Sequence, residues 1–257
     1  MSEPRVIIVT GSSTGIGEDI ARRFAHDEGA RVVVNSRTAP RCEPIAASLR
    51  AEGHDVVAVP GDVRRRADNQ RLVDAAVERW GRVDVMINNA GVNRIGKSED
   101  ISEEDFRLVL DTMLIGPLLG AQAAGKQMMK QDPQGGVIIN ISSLWGLTVY
   151  LYRAAYASAK HGLEGLTKVL AVEWAPHNIR VLSICPAFIK TEMDEGDSSN
   201  PVGGYTEADI LRRTPMHRYG SLEEVSNAVL FAASPKASYM SGSPLIIDGG
   251  WMAYGGW

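Results

Sequence analysis

Short runs of β-branched and apolar residues recur along the chain, separated by longer stretches in which apolar positions return every three or four residues. RVIIVT (5–10), RVVVN (31–35), DVVAV (55–59), VDVMI (83–87), GVIIN (136–140) and IRVLSI (179–184) are continuous rather than alternating in hydrophobicity, and PLIID (244–248) follows near the end. A strand covered by helices on both faces needs that continuity, so the runs predict a parallel sheet. Between them Ile16, Ile20 and Phe24 fall at i, i+4 and i+8, and Leu72, Val73, Ala76 and Trp80 mark a second stripe. Helix-length connections between parallel strands form right-handed crossovers. The predicted fold is α/β, a doubly wound, parallel, seven-stranded sheet in one domain spanning 1–257.

One segment breaks the rhythm. TEMDEGDSSNPVGGYTEADILRRTPMHRYG (191–220) is rich in Gly, Ser, Pro and acidic residues, with room for a short helix near Thr206–Arg213. A long irregular insertion after a strand is either a lid or a mobile loop. Here a substrate lid is expected.

Composition narrows the classes. With 27 basic and 31 acidic residues in 257, the net charge of −4 gives no general pull toward nucleic acid or anionic membranes. Cys42 and Cys185 are too few for a disulfide framework or a zinc cluster, and no metal site is expected. No run of about 18 apolar residues predicts a transmembrane helix. The start, Met1-Ser2-Glu3-Pro4 before RVIIVT, lacks a signal-peptide pattern, so a cytoplasmic, unprocessed protein is expected.

Candidate chemistry begins where the first strand ends, in Thr10-Gly11-Ser12-Ser13-Thr14-Gly15-Ile16-Gly17. Glycines let a backbone turn sharply and approach a pyrophosphate, while a helix N-terminus points free N–H groups at it. The same pattern also makes an ordinary tight turn. In dinucleotide sites an acidic residue about 20 positions further on binds the adenosine ribose. Here that place holds Ser36, followed by Arg37. A neutral serine does not repel a 2′-phosphate, and a guanidinium pairs with one, so NADP is expected over NAD. A solvated arginine is the alternative for Arg37.

Tyr156 and Lys160 lie four apart in YASAK and share one helix face. A phenol is a poor base near neutrality, but an ammonium about 4 Å away contributes roughly 4 kcal/mol at an effective dielectric near 20. Such a pair is a general acid–base. Ser142-Ser143 ends the strand thirteen residues before Tyr156, at the sheet edge where open α/β folds place their sites. A hydroxyl there can donate to a substrate oxygen; taken alone, a Ser pair is as readily a cap or a turn.

These residues together resemble the short-chain dehydrogenase/reductase family over essentially the full length. The chain carries the family's TGxxxGIG at Thr10–Gly17, Asp62-Val63 after the third strand, NNAG at Asn88–Gly91, and the Ser143, Tyr156 and Lys160 set. PAFIKT (186–191) resembles its PGxxxT, and IIDGGW its last strand. The resemblance implies a Rossmann-type fold and hydride transfer between a nicotinamide cofactor and a carbonyl or alcohol. Ser143 would polarise the reacting oxygen, Tyr156 would exchange its proton, and Lys160 would hold the nicotinamide ribose. Gly11, Ser13, Thr14, Gly15, Ile16, Gly17, Asn89, Ala90 and Gly91 would cradle the cofactor, with Pro186, Ile189 and Thr191 at the carboxamide end. Asn93, Arg94, Leu144, Trp145, Tyr150, Phe188 and Met193 would face the substrate, Arg94 being equally readable as a surface residue.

Two departures stand out. Met113 occupies the place where the family usually has an asparagine that supports a helix distortion, and Ala187 replaces the usual Gly after Pro186. The first predicts a weakened or rerouted proton relay, the second a slightly narrower site. Long helices near 103–131 and 155–175 resemble those of the family's homotetramers. The aromatic tail from Trp251 to Trp257 also reads as interface, or else as a frayed terminus. The leading expectation is an NADP-dependent carbonyl reductase or alcohol dehydrogenase forming a homotetramer. An NAD-dependent sugar or polyol dehydrogenase is the first alternative, and a dinucleotide-binding sensor or scaffold the second.

Overall fold

The computed structural model describes residues 3–190 and 206–255. Its centre is one parallel sheet of seven strands in the order β3-β2-β1-β4-β5-β6-β7. The strands are β1 Val6–Val9, β2 Arg31–Val34, β3 Val56–Ala58, β4 Val85–Asn88, β5 Gly136–Ile141, β6 Ile179–Pro186 and β7 Pro244–Ile247. All seven predicted runs are strands, most trimmed by a residue or two at an end.

Continuous hydrophobicity has the expected cause. Along β1, Ile7 and Val9 join one core with Ile20, Phe24, Leu49 and Val229, while Val6 and Ile8 join another with Leu72, Met86, Ala124 and Ile138. The first core lies under α1 (Gly15–Glu28), α2 (Ala39–Ala51) and the helix Leu222–Ala233, here α8. The second lies under α3 (Arg66–Trp80), α5 (Gly116–Met128) and α6 (Ala154–Trp174). Fully burying one such aliphatic or aromatic side chain contributes about 1.5–3 kcal/mol. The outer strands depart from the double-sided reading, because among the described residues no strand pairs beyond them: Val57 and Ala58 on β3 are half-buried, and Ile246 on β7 is exposed.

Chain order reverses beside β1, which pairs with β2 on one side and β4 on the other. That switch point opens a crevice at the carboxyl ends of β1 and β4, where open α/β sheets bind their ligands. The long helix predicted near 103–131 is broken into α4 (Glu103–Leu110), a π-helical turn (Asp111–Ile115) and α5. Glu103–Met128 is long and apolar enough by composition to cross a membrane, yet 61% of its apolar window is buried inside the fold. Helix α7 (Glu207–Arg213) lies where a short helix was expected and begins with a reciprocal capping box between Thr206 and Asp209.

Within the aromatic tail Trp251 is an exception to the interface reading, whereas Met252 and Tyr254 are exposed and Trp257 lies outside the described residues. Trp251 is 2% exposed, with its ring 4.9 Å from that of Phe188 and 6.3 Å from that of Trp145. It completes the subunit's own packing, so its burial requires no partner chain.

Candidate active site

The glycine loop is shaped by close approach. Gly11 has φ +62°, and a Cβ there would lie 2.7 Å from the Ala90 Cα. A Cβ on Gly17 would lie 2.5 Å from the Gly11 carbonyl oxygen and strike the Asn89 amide. Thr14, the N-cap of α1, makes no side-chain capping bond, so the first turn keeps N–H groups for an anion.

Polar side chains around the loop hold the backbone in place. Thr10 Oγ1 donates to Ile87 O and accepts from the backbone N–H groups of Asn89 (3.0 Å) and Ala90 (3.2 Å). Asn89 Nδ2 donates to the carbonyls of Thr10 and Gly11, each at 3.0 Å. Asn35 Nδ2 donates to Val59 O and Gly61 O, and its Oδ1 accepts from Gly11 N. Sequence reasoning overlooked Asn35; a polar residue ending an otherwise apolar strand run was the available signal.

One cavity of about 420 Å³ runs from this loop across the sheet edge. It is lined by Gly11, Ser13, Thr14, Gly15, Ile16, Ser36, Arg37, Asp62, Val63, Asn89, Ala90, Gly91, Arg94, Ser143, Tyr156, Lys160 and Pro186. Residues scattered across some 170 positions of sequence are thereby gathered into one groove. Gly17 stands behind it. Arg41 and Arg64, not singled out from the sequence, line it as well. Arg64 is tied to Asp62, which the guanidinium holds below the usual carboxylate range. Among the described residues Arg37 and Arg41 make no ion pair and are exposed. Ser36 is buried and donates to Thr38 O at 2.8 Å. The glycine cradle and the open helix end fit the pyrophosphate of a dinucleotide, and the guanidiniums of Arg37 and Arg41 stand at its rim.

At the other end Ser143 caps a 3₁₀ turn, Leu144–Gly146, accepting from Trp145 N at 3.1 Å. That bond orients the hydroxyl and leaves its hydrogen available to donate. Tyr156 packs beside Val109, Met113, Ala155 and Ala159. Lys160 is 4% exposed, donates from Nζ to Ile141 O at 2.7 Å, and lies 5.6 Å from the Tyr156 ring centre. Burial pulls its pKa down to about 8, an effect that the nearby Cys185 and Glu164 side chains oppose.

The π turn persists without an asparagine. Met113 is 3% exposed within it, and Gly116 N donates to Asp111 O, five residues back. Pro117 supplies a cause: it has no N–H for the Met113 carbonyl, and its ring would crowd that carbonyl in a regular α-helix. Single π turns inside helices often mark functional positions.

The expected substrate residues divide. Arg94 lines the groove but pairs with Asp105 at 2.8 Å, which offsets its charge. Asn93 keeps a buried Oδ1 without a hydrogen-bond partner. Trp145 stacks on Tyr150 at 5.8 Å and meets Phe188 edge-on at 6.1 Å, an aromatic cluster that lies outside the lining of the groove. Ile189 is buried in the core, bridges to Gly220 and does not line the groove. Thr191 and Met193, and the 191–205 part of the expected lid, lie outside the described residues. Elsewhere His26, Glu52 and His54 cluster at the surface, His54 Nε2 meeting His26 Nδ1 and His26 Nε2 meeting Glu52, each at 3.1 Å, with one ligand atom of each within 4.8 Å of the others.

Comparison with known proteins finds relatives along nearly the whole chain. A family model described as enoyl-(acyl carrier protein) reductase matches residues 11–252. An uncharacterized oxidoreductase of Bacillus subtilis is 37% identical over 97% of this chain and 98% of its own. A gluconate 5-dehydrogenase from Burkholderia cenocepacia, solved in complex with NADP and tartrate, is 29% identical with a TM-score of 0.90, covering 99% of this chain and 97% of its own. A short-chain type dehydrogenase/reductase from Mycobacterium marinum is 31% identical with a TM-score of 0.89, covering 97% and 96%.

Proposed function

The chain belongs to the short-chain dehydrogenase/reductase family of oxidoreductases, and from that premise we propose that it interconverts a carbonyl and a secondary alcohol of a small molecule with NADP(H). The observation that carries this reading is the single groove joining the glycine cradle to Ser143, Tyr156 and Lys160. When bound, the nicotinamide supplies or takes up hydride. The chain's own residues manage the accompanying proton. Ser143 donates a hydrogen bond to the reacting oxygen. Tyr156 gives that oxygen a proton in reduction and removes it in oxidation. Lys160 holds positive charge beside the phenol, favouring tyrosinate, and faces the ribose of the cofactor. Trp145 and Phe188, in an aromatic cluster with Tyr150 beyond the groove lining, would bound the substrate.

Preference for NADP rests on Ser36 in place of an acid and on Arg37 and Arg41, whose charges no described carboxylate neutralises. A homotetramer built on the α4–α5 and α6 faces accounts for Val172, which is 78% exposed on α6, and for exposed Val169 and Ile115. A lid over 191–220 and a cytoplasmic location complete the proposal.

Reduction of a ketone with NADPH deuterated at both C4 positions tests it: label is expected on the carbinol carbon, and cofactor oxidation without label in any product sinks the reading. A second reading, dehydrogenation of a sugar, polyol or sugar acid, is favoured by the gluconate 5-dehydrogenase likeness. Faster turnover of keto-sugar acids than of apolar ketones, with NADH preferred, selects the NAD-dependent alternative. The sensor or scaffold reading requires tight cofactor binding without hydride transfer, and the presence of Ser143, Tyr156 and Lys160 together weighs against it.

A further inference from the structure

We propose that Glu164 is the buried countercharge of Lys160, and that it thereby sets the pH at which Tyr156 loses its proton. The inference rests on the Tyr156–Lys160 chemistry proposed above but invokes a residue that chemistry does not use. Glu164 sits one helical turn beyond Lys160 on α6, so the two side chains leave the same face with Cβ atoms about 5–6 Å apart. Both are buried, at 4% exposure for Lys160 and 5% for Glu164.

Their ends reach the same level of the sheet. Lys160 Nζ donates to Ile141 O on β5, while Glu164 accepts from Ser183 Oγ (2.8 Å) and Cys185 Sγ (3.4 Å) on β6. Ile141 is in register with Ile184, the residue between those two donors. Adjacent strands lie about 4.8 Å apart, so cation and carboxylate end on neighbouring strands, near enough to feel each other's charge but without a direct ion pair.

Both Glu164 oxygens act as acceptors, Oε2 from the hydroxyl and Oε1 from the thiol, as an ionised carboxylate does. Burial and the charge of Glu164 push Cys185 up to about 12, so the thiol stays a neutral donor. Tyr156 is the other titratable group facing the pair from α6. Ile141 contributes a carbonyl from β5, and Met113 and Val109 present apolar surface from the side of α4 and the π turn. His161 is exposed, with Nδ1 on Ala157 O at 2.9 Å. A lone ammonium in this setting is costly, and the carboxylate offsets that cost. Glu164 is thus a positioning residue, acting on Tyr156 through Lys160.

The test is an ultraviolet titration of tyrosinate in the ligand-free protein, with the matching Tyr156→Phe chain subtracted to isolate Tyr156. Glu164→Gln removes the charge and keeps the size; Glu164→Leu removes it by a second route should the first chain not fold; Glu164→Asp restores it. Loss of the carboxylate lets Lys160 deprotonate at lower pH, so the midpoint of Tyr156 is expected to rise by about one pH unit in the Gln and Leu chains. It is expected to return toward the original in the Asp chain. A midpoint unmoved in a folded charge-removed chain overturns the proposal, as does an equal displacement in Gln and Asp. The titration needs no substrate or cofactor, so it is read even if hydride transfer fails; that failure would show separately, as absent turnover in the unmodified protein.

Discussion

The two ends of the groove are built from different materials. At the glycine end Thr10, Asn35 and Asn89 direct their side chains at neighbouring backbone, and what they create is a shape: two glycines in close contact and an open helix terminus. At the reactive end the essential feature is charge in a dry place, Lys160 and Glu164 buried on one helix beside a phenol. Shape governs who binds, and buried charge governs when a proton moves. Substitutions at the first end should therefore alter cofactor affinity and stability, and those at the second should alter rate and pH dependence.

The largest expected effect falls at the reactive end. Tyr156→Phe should lower kcat by about 10²–10⁴-fold, the range for losing a general acid–base, while cofactor affinity and Tm stay near their original values. A fall in affinity instead would erase the division between the ends. Next comes Gly17→Val, whose side chain has no room against Gly11 and Asn89. It should weaken cofactor binding at least about tenfold and cost about 1–3 kcal/mol of stability, read by fluorescence titration and by denaturant unfolding. Replacing Arg37 and Arg41 together by Ala should raise the KM for NADPH about tenfold, close to 1.4 kcal/mol, with the NADH value unmoved.

A subtler effect concerns stability. Lys160 is pulled to about 8 in the folded protein and returns to the ordinary value of about 10.4 when unfolded. Between those values the unfolded chain binds more protons, so this group makes stability rise with pH across that window. Thermal unfolding of ligand-free Lys160→Met should show the rise flattened. The smallest change is expected from Met113→Asn: Pro117 already accounts for the helix distortion, so kcat should move by less than about threefold. A larger gain would mean that the missing amide matters more than the proline.

Much of this was legible in advance, for reasons that differ by element. The buried strands announced themselves because a sheet covered on both faces leaves few polar positions to confuse the pattern, as in Val6–Val9 and in Val85, Met86 and Ile87. Thr10–Gly17, Asn89–Gly91 and the Ser143, Tyr156 and Lys160 set were readable because their spacing is fixed by the groove they line. Arg41, Arg64 and Asn35 were not, since each is an ordinary polar residue until the strands β2 and β3 carry it to the cavity. Trp251 misled because sequence gives no sign that a terminal ring folds back onto Phe188 and Trp145. Glu164 was invisible as well: within an ordinary helix repeat, a buried carboxylate looks like a solvated one.

The most direct measurement follows NADPH and NADH oxidation in parallel across ketones, cyclic diketones and keto-sugars, for the unmodified chain and for Tyr156→Phe. The expected result is turnover of at least one carbonyl, faster with NADPH, that disappears in Tyr156→Phe. Turnover that survives the loss of the Tyr156 hydroxyl would contradict the assignment of the proton transfer, and with it the proposed working of the groove's reactive end.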